Sequence, residues 1–159
     1  MYEKWCIFAG IVLLVVVLFI ACHATYRPYN FAESTEQIKK VTFLELTNDC
    51  GRRTGCRTPG ERIVLRELSP EEIPDFLLAF QTLRCQRKWS NPYDCVDGYT
   101  IEITYESGNY ELICTYSNVY MNEDGKMIRC GWEFLKDREG FRELFVQYCP
   151  EAADAIGQE

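Results

Sequence analysis

Histidine is almost absent from this chain of 159 residues, the single copy being His23 beside an apolar N-terminal run. Mechanisms that pair a Ser or Cys nucleophile with a His therefore have no base in the remainder of the sequence. No two cysteines stand in Cys-x-x-Cys spacing, which argues against zinc knuckles and thioredoxin-like redox sites. There is no P-loop and no Gly-x-Gly-x-x-Gly, and neither a cofactor nor a metal is expected. Asp94 and Asp97, in Asp-Cys-Val-Asp-Gly, lack the spacing of an EF-hand and read as a turn. Positive charge is short as well: 17 Lys and Arg stand against 24 Asp and Glu, a net charge of −7. Such a chain is a poor partner for nucleic acid, whose affinity rests on neutralised phosphates. Internal repeats and low-complexity tracts are also missing.

What is present begins with an apolar run. From Trp5 to Cys22 there are 18 residues without a charge, which at ~1.5 Å per residue cover most of a ~30 Å hydrocarbon core. The run is apolar on every side, unlike the one-faced helix of a globular core. Three readings of residues 1–24 stay open. One is a retained anchor with Trp5 near one membrane interface and Tyr26 and Tyr29 near the other. A second is a lipoprotein signal in which Phe19-Ile20-Ala21-Cys22 is the lipobox and Cys22 the acylated residue. The third is a secretory signal cut after Ala24. The expectation is an N-terminal membrane helix, membrane contact through residues 5–22, and a membrane-anchored, extracytoplasmic domain. Lys4 against Arg27, Lys39 and Lys40 points to the opposite side of the membrane, but Lys39 and Lys40 fall inside the first expected strand.

Residues 25–37 lack periodicity and read as a tether, residues 38–150 as one α+β domain, and residues 151–159 as a frayed acidic tail. Strands are expected over Ile38 to Thr47, rich in β-branched and aromatic residues, and over Arg62 to Leu68. Ser69-Pro70-Glu71-Glu72 then reads as a capping box with Pro at the first helical position. Ile73, Phe76, Leu77 and Phe80 follow on one face of a helix, with Pro74 awkward in its first turn. Tyr99, Ile101, Ile103 and Tyr105 alternate with polar residues, as do Tyr110, Leu112, Cys114 and Tyr116. A two-residue Ser107-Gly108 loop pairs the two sets, Ile103 with Leu112, and leaves Glu102 and Glu111 on the solvent face. A turn at Asn122-Glu123-Asp124-Gly125 extends the meander toward Trp132. The last helix spans about Asp137 to Tyr148, with Phe141, Leu144, Phe145 and Tyr148 on one face and Pro150 as its stop. The order ββαβββα implies one antiparallel sheet with both helices on one face.

Cysteine is plentiful, with nine copies. In an exported domain Cys50–Cys56 and Cys85–Cys95 are the expected local disulfides. The alternative is a reduced domain whose cysteines serve as small apolar core residues. Two surface features suggest binding. If Cys50 and Cys56 are bridged, Arg52, Arg53 and Arg57 sit on a rigid Gly-containing turn suited to an anion or acidic partner. Trp89 and Tyr93 lie in a polar loop, where aromatic side chains are suited to recognition.

Ser-Pro-Glu-Glu-Ile before a helix, Gly-Tyr-Thr-Ile-Glu-Ile-Thr-Tyr-Glu-Ser-Gly-Asn-Tyr-Glu-Leu-Ile, and Gly131-Trp132 together span roughly residues 38 to 148. In these segments the chain resembles a broad group of small exported proteins and lipoproteins of Gram-positive bacteria. That resemblance implies a fold and an exported location, and transfers no site. The functional expectation is a tethered domain with a binding role and no catalysis. Two alternatives remain: a thiol-redox protein using an unpaired cysteine, and a carboxylate-based hydrolase.

Overall fold

The computed structural model describes residues 8, 10–19, 27–47, 61–87, 98–115, 117–130, 133–135 and 137–156. Residues 10–19 form helix α1. A 3-10 turn at Thr35–Gln37 leads into β1 (Ile38–Thr47), followed by β2 (Glu61–Glu67) and α2 (Ile73–Phe80). After β3 (Cys85–Arg87) come four strands of a meander: β4 (Gly98–Tyr105), β5 (Tyr110–Ile113), β6 (Asn118–Met121) and β7 (Met127–Cys130). Then come β8 (Glu133–Leu135), α3 (Arg138–Tyr148), a 3-10 turn at Pro150–Ala152, and α4 (Ala153–Ile156). The main sheet has the order β2-β1-β4-β5-β6-β7 with every pairing antiparallel. β3 and β8 form a separate two-stranded sheet.

Both long helices of the domain cover one face of the main sheet. Val41 and Phe43 of β1, with Ile101, Ile103 and Tyr105 of β4, pack against Ile73, Phe76 and Phe80 of α2 and Phe141, Leu144 and Phe145 of α3. α2 begins only at Ile73, after a turn in which the Glu72 carboxylate accepts from the Ser69 N–H at 2.9 Å. Pro74 therefore falls within the first helical turn, where its missing N–H has no intrahelical partner to lose. Asp137 caps α3, its carboxylate accepting from Gly140 N–H at 3.0 Å.

The meander departs from the expected register by one residue. Tyr105 N–H donates to Asn109 O at 2.9 Å, and Gly108 N–H to Tyr105 O at 3.0 Å. The loop is thus Glu106-Ser107-Gly108, with Gly108 at φ +86°, the three-residue hairpin that needs a left-handed residue at its end. The pairs become Ile103↔Glu111 and Glu102↔Leu112. A slip of one residue exchanges the two faces of a strand. Glu111 therefore enters the core face, while Leu112 and Cys114 join Leu44, Leu46, Val119 and Met121 in a second apolar cluster on the opposite face. Replacing Gly108 with Ala should cost about 1 kcal/mol for the left-handed backbone. Gly108→Asn should cost less, since Asn tolerates that region. Urea denaturation of the three proteins should rank them Gly, Asn, Ala.

Two expectations are corrected here. Among the described residues no helix is long and apolar enough to cross a membrane. This overturns the expected N-terminal membrane helix and the membrane anchoring expected with it. The second correction concerns disulfides: none forms among the described residues, Cys85 included, while the expected Cys50–Cys56 bridge lies outside them. Cys85 and Cys114 each point their sulfur at a backbone carbonyl, Leu83 O at 3.8 Å and Ser117 O at 3.4 Å. That role belongs to a thiol, since a disulfide sulfur has no hydrogen to donate.

Candidate functional site, a buried acid held by phenols

The register of β5 creates the most unusual chemical environment in the described domain. Glu111 is completely buried on the core face, opposite Ile103 on one side and Tyr120 on the other. Its Oε1 accepts from the Tyr29 hydroxyl and, at 3.4 Å, from Asn118 Nδ2. Its Oε2 accepts from the Tyr105 hydroxyl at 2.7 Å and from the Ala32 N–H at 3.0 Å. Asn118 Nδ2 also donates to the Tyr29 oxygen at 2.6 Å, fixing that phenol as a donor toward the acid. All these partners are neutral donors.

Burial pushes the Glu111 carboxyl above its ordinary range, and the hydrogen bonds from Tyr29, Tyr105, Ala32 and Asn118 pull it partly back. Burial and then the neighbouring Glu111 charge drive both Tyr29 and Tyr105 well above the usual phenol value. Neither phenol is therefore poised to give up its proton.

A second carboxylate, Glu33, directly follows Ala32 in the chain. Glu33 Oε1 accepts from Ser107 Oγ at 2.7 Å, from Asn109 Nδ2 at 3.0 Å and from the Tyr120 hydroxyl. Burial acts to raise this carboxyl, but the Tyr120, Asn109 and Ser107 hydrogen bonds outweigh it and hold Glu33 below its ordinary value. Asn109 Nδ2 also donates to Tyr120 at 2.8 Å, and the Tyr105 and Tyr120 rings meet edge to face at 6.2 Å. The two acid centres thus share one wall of aromatic side chains.

Both centres grip the same stretch of chain. Residues 27–33 cross the core face with Tyr29 and Phe31 buried, their rings 5.2 and 5.6 Å from Phe80. At the upstream end Arg27 exchanges two backbone hydrogen bonds with Cys85, each 3.0 Å. On the opposite face of the sheet Glu102 makes an ion pair with Arg62, whose guanidinium lies 5.8 Å over the Tyr110 ring. Burial raises the Glu102 carboxyl while Arg62 draws it down.

Of the residues singled out from the sequence, Arg52, Arg53, Arg57, Trp89, Tyr93, Cys22, Cys50, Cys56 and Cys95 lie outside the described residues. Cys85 is described, buried in the core beside Leu135. Sequence reasoning placed Glu111 in solvent, gave Glu33 no role, and set Tyr29 near a membrane interface instead of in the core. The overlooked signal was Glu106-Ser107-Gly108, whose glycine suits a three-residue loop as well as a two-residue one. No family model, no curated protein and no solved structure matches the chain. The resemblance to exported Gram-positive proteins therefore rests on the quoted segments alone.

Proposed function

We propose that this protein is a binding module, which acts by presenting apolar surface to a partner and carries out no covalent chemistry. The observation behind this reading is α1. Its large apolar residues from Ile11 to Phe19 are each between 46% and 65% exposed, whereas most other described large apolar side chains line the cores. A contiguous apolar surface of this kind is the usual mark of an interaction site. The internal chemistry is consistent with that role. The carboxylates of Glu33, Glu102 and Glu111 are each engaged by donors from the same chain, so they hold structure together instead of converging on a substrate.

The redox alternative is disfavoured at Cys149. This thiol is buried, and burial followed by the nearby Glu151 charge raises it above the ordinary cysteine value. A reactive thiol needs the opposite. Site-resolved alkylation of the folded chain at neutral pH should label Cys149 more slowly than a free cysteine. A cysteine anywhere in the chain that labels rapidly with a lowered pKa would transfer the weight to redox chemistry.

The binding reading itself is tested with a photoreactive residue at position 14 in the full chain. The expected result is a discrete cross-linked protein in cells, lost when Val15→Asp and Leu18→Asp are introduced together. Adducts to lipid alone, or none, would overturn it.

A further inference from the structure

We propose that two copies of this chain join edge to edge through β2, antiparallel about a two-fold axis at Val64, to form one continuous sheet. β2 is an outer strand of the main sheet, and among the described residues no strand pairs with its free side. Such an edge is a template for another strand. It is seven residues long, against four for β7 at the opposite edge. At its centre Ile63 and Val64 are 43% and 62% exposed, one on each face of the strand.

A second copy fits this edge because of a bulge. Glu61-Arg62-Ile63-Val64-Leu65-Arg66-Glu67 is a palindrome of residue type. Folded about Val64 without interruption, it would set Arg62 against Arg66 and Glu61 against Glu67, like charge against like. The register with β1 instead jumps from Leu44↔Val64 to Phe43↔Arg66, leaving Leu65 as the extra residue. Arg62, Val64 and Glu67 stand opposite Leu46, Leu44 and Thr42, so all three share the face of the second apolar cluster. A two-fold axis through Val64 then sets Arg62 of each copy opposite Glu67 of the other, with Val64 against Val64 between them. On the helix-covered face Ile63 meets Arg66 of the partner copy, whose aliphatic stem covers it.

Charges ordinarily discourage edge pairing, but those of β2 already have partners in their own chain. Arg62 pairs with Glu102, and Lys40 with Glu67 at 2.7 Å. Arg66 pairs with Glu72 at 2.6 Å and also donates to the Tyr148 carbonyl. Across the seam the first two pairs join into a row of alternating sign: Lys40 and Glu67 of one copy, then Arg62 and Glu102 of the other. The two-fold axis repeats that row. The contact is isologous, closes as a dimer and uses no residue of α1.

The test is sedimentation velocity on the full chain over a wide range of concentration, with circular dichroism to verify the fold of every variant. It is run on wild type and on the chain carrying Val15→Asp and Leu18→Asp, which removes association through α1. A dimer is expected in both. Val64→Lys places two ammonium groups on the axis and should raise the dimer dissociation constant about tenfold or more. Because Val64 is exposed in the single chain, this change should leave the fold intact. Arg62→Glu and Glu67→Arg should each weaken self-association, whereas an equal mixture of the two should dimerise, since every Arg–Glu contact across the seam is then restored. Should either charge reversal fail to fold, Val64→Lys alone decides. A chain that stays monomeric would overturn the proposal, as would a dimer lost with the α1 substitutions or unaffected by Val64→Lys. Folded charge variants that associate no better mixed than alone would overturn it too.

Discussion

Glu111→Ala should lower the stability of the domain by about 3–5 kcal/mol, because each buried donor left without an acceptor costs ~1–3 kcal/mol. The hydroxyls of Tyr29 and Tyr105 and the Ala32 N–H all lose their partner at once. Asn118 retains a bond to the Tyr29 oxygen, so the loss is smaller than a simple sum over donors. Urea denaturation at neutral pH reads the effect directly. Glu111→Gln keeps one acceptor oxygen but sets an NH2 group against hydrogens already pointing at it, and should fall between wild type and Ala. Tyr105→Phe removes a single donor and should cost about 1 kcal/mol. In a double-mutant cycle the Glu111→Ala and Tyr105→Phe losses should be clearly less than additive, since each deletes the same bond. A Glu111→Ala loss below 1 kcal/mol would show that water or local rearrangement satisfies these donors, and that residues 27–33 are held by their aromatic side chains instead.

That Glu111 came to light only in the structure has a specific physical reason. Alternation locates a strand but leaves its partner's register to the loop, and one loop residue decides which face is inside. Tyr110, Leu112 and Cys114 match the apolar side of β4 in one register, and Glu111 and Ile113 in the other. Hydrophobic pairing alone favours the first. The left-handed Gly108 and the Tyr105–Asn109 hydrogen bond establish the second, and the misplaced acid is then accommodated by two tyrosines and an asparagine. The face left over is itself apolar, around Leu44, Leu112 and Met121, so hydrophobic pattern could not separate the two faces. Residues 27–33 were opaque for a related reason. A segment held by backbone pairing at Arg27 and by isolated side chains at positions 29, 31 and 33 has no helical run to reveal it. By contrast, the strand over Ile38–Thr47 and the apolar stripes of α2 and α3 were legible, because there one periodicity agrees with burial throughout.

The neighbouring pair Phe43 and Leu44 tests whether the two faces of the sheet are separate cores. Phe43 is wholly buried at the centre of β1 and meets elements of both helices. Its ring lies 5.8 Å from Phe76 of α2, edge to face, and 4.8 Å from Phe145 of α3, with Tyr148 stacked at 6.2 Å. Phe43→Ala should cost about 3–5 kcal/mol, the transfer free energy of the ring plus the cavity left among side chains that cannot all move inward. Tyr148 and Phe76 touch each other at 5.4 Å and limit that collapse from both sides. Phe43→Leu fills most of the volume and should cost about half as much. Leu44 is as deeply buried, but it points into the cluster with Leu46, Leu112 and Met121. Leu44→Ala should cost about 2–4 kcal/mol. Amide exchange separates the two losses. Under conditions in which both variants remain folded, Phe43→Ala should selectively weaken protection of α2 and α3, whereas Leu44→Ala should selectively weaken β5 and β6. Because the two sites share a strand but no side-chain cluster, the double variant should lose close to the sum of the single changes. A large departure from additivity would mean that distortion passes through β1, uniting the faces as one cooperative core.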